Sequence, residues 1–150
     1  MKKVFTISAL CLTIGFVNAQ SVKEADVPSS VKDAFKKKYP TTKVEKWEKE
    51  NANYEAEFDN NKVETCVVYD AAGKLIETEI ELAISELPQA IIDGITKIMP
   101  NKKAKETSKI TDASGKVSYE AEIDNVDYIF DDKGNLLKKE EDKEKDDDED

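Results

Sequence analysis

Tyr54-Glu55-Ala56-Glu57-Phe58-Asp59 returns 65 residues later as Tyr119-Glu120-Ala121-Glu122-Ile123-Asp124. Each stretch alternates apolar and acidic residues with period two, the pattern of a strand that buries one face. Working outward, more of the chain repeats. Val27-Pro28 matches Leu87-Pro88, and Val31, Ala34, Phe35 and Tyr39-Pro40 match Ile91, Gly94, Ile95 and Met99-Pro100, all at an offset of 60. Tyr69-Asp70, Gly73 and Leu75 match Phe130-Asp131, Gly134 and Leu136 at 61. The offset changes only near turns: Asp112 to Lys116 reads as an inserted turn, and the hairpin before Phe130 is shorter. Changes confined to turns are what a structural duplication leaves behind.

Each copy opens with a helix. Pro28 and Pro88 suit a first helical turn, where the missing N–H does no harm. Val31, Ala34, Phe35 and Tyr39 recur at helical spacing, with Lys32, Asp33, Lys36 and Lys37 turned away. In the second copy the stripe is Ile91, Ile92, Ile95, Ile98 and Met99, and Pro40 and Pro100 stop the two helices. Period two then takes over. Val63, Thr65, Val67 and Tyr69 alternate with Glu64, Cys66 and Val68; Ile76, Thr78 and Ile80 alternate with Glu77, Glu79 and Glu81. Asn60-Asn61 and Ala72-Gly73 supply the turns. A first strand is expected around Val44 and Trp47, where broken parity suggests a bulge. The second copy shows no Trp and no clear strand over Lys105 to Ile110.

The expected fold class is α+β: a tandem repeat of a helix plus a three- or four-stranded antiparallel sheet, with helices on one face and an open concave sheet face. A unit of about 60 residues buries only about 60% of its unfolded surface and is marginal alone, so the two copies should pack together. The expected organisation is a signal peptide over 1–19, repeat 1 over 20–83, repeat 2 over 84–137, and a disordered acidic tail over 138–150.

The termini carry the address. Met1-Lys2-Lys3 is a basic start, Val4 to Val17 is mostly apolar, and Val17-Asn18-Ala19 fits a signal-peptidase site, so cleavage is expected near Ala19 and the mature chain in the periplasm or secreted. Cys11 raises a lipoprotein alternative, but Leu10 stands where a small residue is wanted. With Cys11 discarded, Cys66 is alone, no intrachain disulfide is expected, and a small buried hydrophobe is its plain reading. Residues 138–150 hold nine acids, four lysines and no apolar side chain, which leaves nothing to offset their ordering entropy.

Composition removes several functions. The chain of 150 residues has no His, and its 23 basic residues are all Lys against 33 acids, for a net charge of −10. Without His there is no Ser-His-Asp or Cys-His nucleophile and no imidazole ligand. An acidic chain without Arg lacks the cationic footprint that nucleic acid requires. No apolar run is long enough for a membrane span. No cofactor is implied.

If Tyr54, Ala56 and Phe58 face the helices, Glu55 and Glu57 face the other way, joined by Glu120 and Glu122 from the second copy. These four, with Trp47 as an aromatic anchor if it is exposed, are the candidate partner-binding residues. The plainer alternative is a solvated strand face with Trp47 in the core. Paired acids can do acid–base chemistry or hold a hard cation, but no nucleophile, oxyanion donor or cation-binding loop accompanies them.

Val27-Pro28-x-x-Val31-x-x-Ala34-Phe35-x-x-x-Tyr39-Pro40, Val44-x-x-Trp47, Tyr54-Glu55-Ala56-Glu57-Phe58, Tyr69-Asp70-x-x-Gly73-x-Leu75 and Glu77-Thr78-Glu79 together resemble the exported PepSY-like, beta-lactamase-inhibitor-like proteins of Bacteroidetes. The resemblance spans roughly residues 25–140. It implies the same tandem helix-and-sheet unit with a concave sheet. For function it implies little; PepSY domains more broadly are associated with restraint of secreted peptidases, and no inhibitory loop can be matched residue by residue. The expectation is therefore a non-catalytic exported module that binds a protein or peptide partner and in doing so inhibits an extracytoplasmic enzyme. A divalent-cation-binding envelope protein is the alternative.

Overall fold

A computed structural model describes residues 20–141. The expected leader, and the tail beyond residue 141, lie outside that range. Two ten-residue helices, α1 (Ser29–Lys38) and α2 (Gln89–Ile98), are set among nine strands: β1 (Gln20–Val22), β2 (Lys46–Glu50), β3 (Asn53–Asp59), β4 (Glu64–Asp70), β5 (Leu75–Glu81), β6 (Glu106–Asp112), β7 (Val117–Ile123), β8 (Val126–Asp131) and β9 (Leu136–Glu141). All nine form one antiparallel sheet in chain order. The class is α+β.

The helices begin and end as the prolines dictate. The Pro28 carbonyl accepts the N–H groups of Val31 and Lys32, and the Pro88 carbonyl those of Ile91 and Ile92. Tyr39 and Met99 close the last turns on the carbonyls of Phe35 and Ile95, each at 2.8 Å, before the next proline stops the helix. Lys36, Lys37 and Lys38 occupy the last turn of α1, where the helix dipole favours positive charge.

Each helix buries its stripe on its own part of the sheet. Val31 and Phe35 pack with Trp47, Ala56, Phe58, Val67 and Tyr69. Phe35 meets Phe58 and Trp47 edge-on, with ring centroids 5.0 and 5.9 Å apart. Ile91 and Ile95 pack with Ala121, Ile123, Tyr128 and Phe130. The register Phe58–Thr65–Ile80–Lys109–Tyr119–Phe130 runs straight across six strands. Side chains opposite one another share a face, so both cores lie on one side of the sheet.

The repeats are joined through a strand they share. Ser21 opposite Glu48 in the β1–β2 pair recurs, 60 residues on, as Glu81 opposite Ser108 in the β5–β6 pair. The end of β5 therefore does for the second copy what β1 does for the first, while the body of β5 pairs with β4. Thr107 stands opposite Ala121 as Trp47 stands opposite Ala56.

Three expectations are corrected. Residues 106–112 are a strand, because hydrogen bonds to β5 and β7 on both sides order a segment whose own pattern is too polar to read. Register shifts fall between Val68 and Tyr69 and between Ile129 and Phe130, not near Trp47. The tail does not begin at Lys138: residues 138–141 lie in β9, where Lys138, Lys139 and Glu140 pair with Ile129, Tyr128 and Asp127. A ladder of backbone bonds orders a stretch that has no apolar side chain of its own.

Two glycines seat the sheet on the helices. Gly73 and Gly134, at φ +82° and +79°, lie in the β4–β5 and β8–β9 turns, and an added Cβ would come within 2.4 Å of the Ser30 carbonyl oxygen and 2.0 Å of that of Ala90. Gly115, at φ +86° in the β6–β7 turn, would meet nothing within 4 Å. Gly115→Ala should thus cost only its left-handed strain, about 1 kcal/mol. Gly134→Ala adds a backbone collision and should cost about 3 kcal/mol or more. Urea denaturation of the two variants checks this, and equal losses would refute the docking role of Gly134.

Candidate functional site: the carboxylate face

The face opposite the helices collects acids from every strand except β1. Alternation sets their side: with Trp47, Ala56, Val67 and Thr78 in one register row beneath the helices, the residues between them turn away. Glu48, Glu55, Val68, Glu77 and Asp112 form one row on this second face. Lys46, Glu57, Cys66, Glu79 and Ile110 form the next. Glu81, Ser108, Glu120, Ile129 and Lys138 form a third. Buried Cys66, Val68, Ile110 and Ile129 thus stand between the carboxylates and apart from both helix-side cores.

The face is curled. Glu50 on β2 senses the charges of Glu140 and Lys138 on β9. A flat sheet would hold these strands roughly 34 Å apart, several times the distance at which exposed charges act at physiological salt, about 8 Å. Glu55 senses Glu50 and Glu79, and Glu120 senses Glu79 and Glu140. Glu50, Glu55, Glu79, Glu120 and Glu140 are thus linked as a ring, closed because the two ends of the sheet approach each other.

This changes the expected picture of the four glutamates. The structure brings Glu55, Glu57, Glu120 and Glu122 onto one face, but their exposures are 4, 5, 4 and 2%, so they are not a wall in open water. Alternation reports the side of a strand; it carries no information on curvature, which turns these side chains toward one another. Trp47 is not among them. It is 6% exposed beneath α1, on the opposite face, and cannot serve as an anchor beside the glutamates.

Charge on this face is only partly matched. Lys46 pairs with Glu48 at 2.8 Å, Lys105 with Glu122 at 3.2 Å, and Lys138 with Glu140. Glu55 Oε1, Glu57 Oε2, Glu120 Oε2 and Ser108 Oγ are buried without a hydrogen-bond partner. Burial first, then repulsion by Glu48 and Glu79, holds the Glu55 carboxyl well above the ordinary carboxylate range. Burial, then Glu79 and Asp127, does the same for Glu120. Burial with neighbouring acids pushes Glu50 and Glu64 up to about 7. Like charges about 6 Å apart at an effective dielectric of about 20 repel by roughly 3 kcal/mol, enough to keep protons on part of such a set.

Glu50, Glu77, Glu79, Glu140 and Ser108 were not among the candidates from sequence. The alternation of Glu77 and Glu79 with Thr78 and Ile80 could have placed them. Glu50 and Glu140 join only through the curl. Cys66 sits between Glu57 and Glu79; the only other cysteine, Cys11, lies outside the described residues, so no disulfide joins two described positions. Among the described residues no group of three or more His, Cys, Asp or Glu is arranged to hold a metal ion, and no helix is long and apolar enough to cross a membrane.

The family signature described as "Putative beta-lactamase-inhibitor-like, PepSY-like" matches the chain twice, over residues 16–77 and 64–138. The chain belongs to this family as a tandem repeat, and the two matches overlap across β4 and the start of β5. Solved structures share the fold. A "putative periplasmic" protein of Bacteroides eggerthii aligns at 20% identity and TM-score 0.68, over 76% of this chain and 88% of that one. A DUF2874 family protein of Bacteroides uniformis aligns at 20% and 0.67, over 75% and 87%. A BLIP-like protein of Bacteroides fragilis aligns at 26% and 0.61, over 75% and 85%. No curated protein matches the chain.

The raised carboxyls fix the sign of the pH response. A glutamate whose folded pKa exceeds its unfolded value binds its proton more tightly when folded, so its contribution is present at low pH and is lost as pH rises through the folded pKa. For Glu50 and Glu64 the window runs from the ordinary value of 4.5 to about 7. The melting temperature should fall between pH 5 and pH 8, and Glu50→Gln should raise it at pH 8 while leaving it nearly unchanged at pH 5. A variant that gains equally at both pH values would dissociate Glu50 from the effect.

Proposed function

We propose that the protein is an exported, non-catalytic binding module whose curled carboxylate face is the concave surface that receives a protein or peptide partner. The observation that carries this is the set of orphaned acceptors on one face: Glu55 Oε1, Glu57 Oε2 and Glu120 Oε2 have no hydrogen-bond partner, although a buried unpaired carboxylate oxygen costs more than a paired one. A partner that supplies donors would satisfy them. The helix-side cores stabilise the fold without using this face, which leaves it available for recognition. Export to the periplasm, with cleavage near Ala19, fits the leader and the relatives described as periplasmic. Membership of a beta-lactamase-inhibitor-like family makes inhibition of an extracytoplasmic enzyme the natural consequence of binding, and the absence of His excludes a Ser-His-Asp or Cys-His nucleophile.

Glu55, Glu57, Glu120 and Glu122 are the residues assigned to the partner; Trp47 is not. The cation-binding alternative has no preformed ligand group among the described residues to favour it. Capture of a partner from envelope extract should be lost when those four are changed together to Gln, with the melting curve of the variant retained. Capture that survives the change would remove the acidic face from recognition.

A further inference from the structure

A cavity of about 310 Å³ opens on the carboxylate face, its wall drawn from β5 to β9. Strand order sorts that wall into three groups. Glu77 and Asp112, directly opposite each other on β5 and β6, stand at one end. Ile110 on β6 and Ile129 on β8 form an aliphatic middle. Leu137 and Lys138 on β9 stand at the other end. Leu137 is 51% exposed, more than any other large apolar side chain among the described residues.

Duplication does not account for this wall. At the repeat offset of 60 the place of Ile110 is held by Glu50, and at 61 that of Lys138 is held by Glu77. The first copy has acids where the second has an aliphatic side chain and a cation. Both ends of the cavity also have capacity left. One oxygen of Asp112 is engaged in the β6–β7 turn, where it accepts the N–H groups of Ser114 and Lys116 and the Ser114 hydroxyl. Lys116, also in the wall, offsets the Asp112 charge. Glu77 has no such relief: burial, then the charge of Asp112, holds its carboxyl above the ordinary range, and no cation among the described residues enters that balance. At the far end Lys138 pairs with Glu140, and an ammonium with three donors has more to give.

The three groups select a ligand. A hard divalent cation needs six or more oxygens, and this wall has an aliphatic middle and two lysines. A fatty acid would suit Lys138 and the isoleucines and bring no donor to Glu77. A zwitterion with an aliphatic body meets all three. Length follows from the sheet. Strands β5 and β9 lie about 19 Å apart along a flat sheet, and closer along a curled one. A free amino acid is too short to bridge them, whereas an extended tripeptide spans roughly 10 Å, and the Glu77 side chain and the four-carbon stem of Lys138 reach inward for the remainder.

We infer that this cavity binds a short free peptide of aliphatic residues, about three long, with its ammonium on Glu77, its side chains against Ile110, Ile129 and Leu137, and its carboxylate on Lys138. The inference rests on the reading of this face as one that receives a peptide, and deepens it by naming the class of peptide and by placing it on residues other than the four glutamates assigned above.

The test titrates the purified chain with Val-Val-Val and follows backbone amide shifts. Acetylating the N-terminus or amidating the C-terminus should each weaken binding about tenfold, the size of one lost charge-assisted hydrogen bond. Gly-Gly-Gly and free valine should bind at least tenfold more weakly than Val-Val-Val. Glu77→Gln should abolish the difference between the free and acetylated peptides, and Lys138→Gln that between the free and amidated ones. Leu137→Ser, at an exposed position, should weaken Val-Val-Val several-fold, while Glu55→Gln changes it less than twofold. Thermal melts establish that each variant folds. Equal binding of the free, acetylated and amidated peptides would overturn the two-ended site, and valine binding as tightly as Val-Val-Val would overturn the span. Failure of every peptide at millimolar concentration would overturn the inference. Capture of a partner through the four glutamates, none of which lines the cavity, decides the broader reading separately.

Discussion

The shared use of β5 is the constraint on which the rest depends. A single repeat of about 60 residues can bury too little apolar surface to be robust by itself, and no disulfide joins two described positions. Giving β5 to both repeats makes one continuous ladder: its residues pair with β4 on one side and with β6 on the other. Two small cores, one under each helix, are then fastened to the same sheet. Neither has to grow. The seam needs backbone hydrogen bonds and little apolar contact, and so β6 can be as polar as Glu106 to Asp112 and still be a strand.

That arrangement separates the two helix-side cores from the carboxylates. Both helix-side cores gather on one side of the sheet, and the carboxylates gather on the other around buried Cys66, Val68, Ile110 and Ile129. Nine twisted strands do not stay flat; here the sheet curls until β2 and β9 act on each other. The curl concentrates carboxylates that strand alternation alone would merely align. At neutral pH their mutual repulsion works against the folded state, so this face is a place where the sequence departs from what stability would select. Departures of this kind are expected at functional surfaces, and the orphaned oxygens of Glu55, Glu57 and Glu120 locate the departure on this face.

The duplication is also imperfect in an informative way. The positions that seat the helices are kept: Gly73 and Gly134 touch helix carbonyls at equivalent places, and the register shifts recur at Val68/Tyr69 and Ile129/Phe130. The positions on the carboxylate face are kept less strictly. Glu48 becomes Ser108, and the paired Lys46 becomes Glu106, while Trp47 becomes Thr107 on the helix side. The scaffold thus repeats more faithfully than the surface it presents.

Local pattern determined much of this protein. Helical spacing with flanking prolines set α1 and α2, period two set β3, β4, β5 and β7, and the parity of Tyr54 to Phe58 put Glu55 and Glu57 on the side away from the helices, with Glu120 and Glu122 following by repetition. These are readings of neighbours along the chain, and neighbours along the chain are all that periodicity can report. Trp47 shows where this ends: its size suited either a core or an anchor, and only its packing against Phe35 placed it in the core. The polar strand β6 and the order of Lys138 to Glu141 came from pairing with distant segments. The approach of Glu50 to Glu140 came from curvature accumulated over eight strands. Twist adds up across a sheet in small steps that no single residue encodes, and so the sequence names the acids, and the tertiary structure alone decides which of them meet.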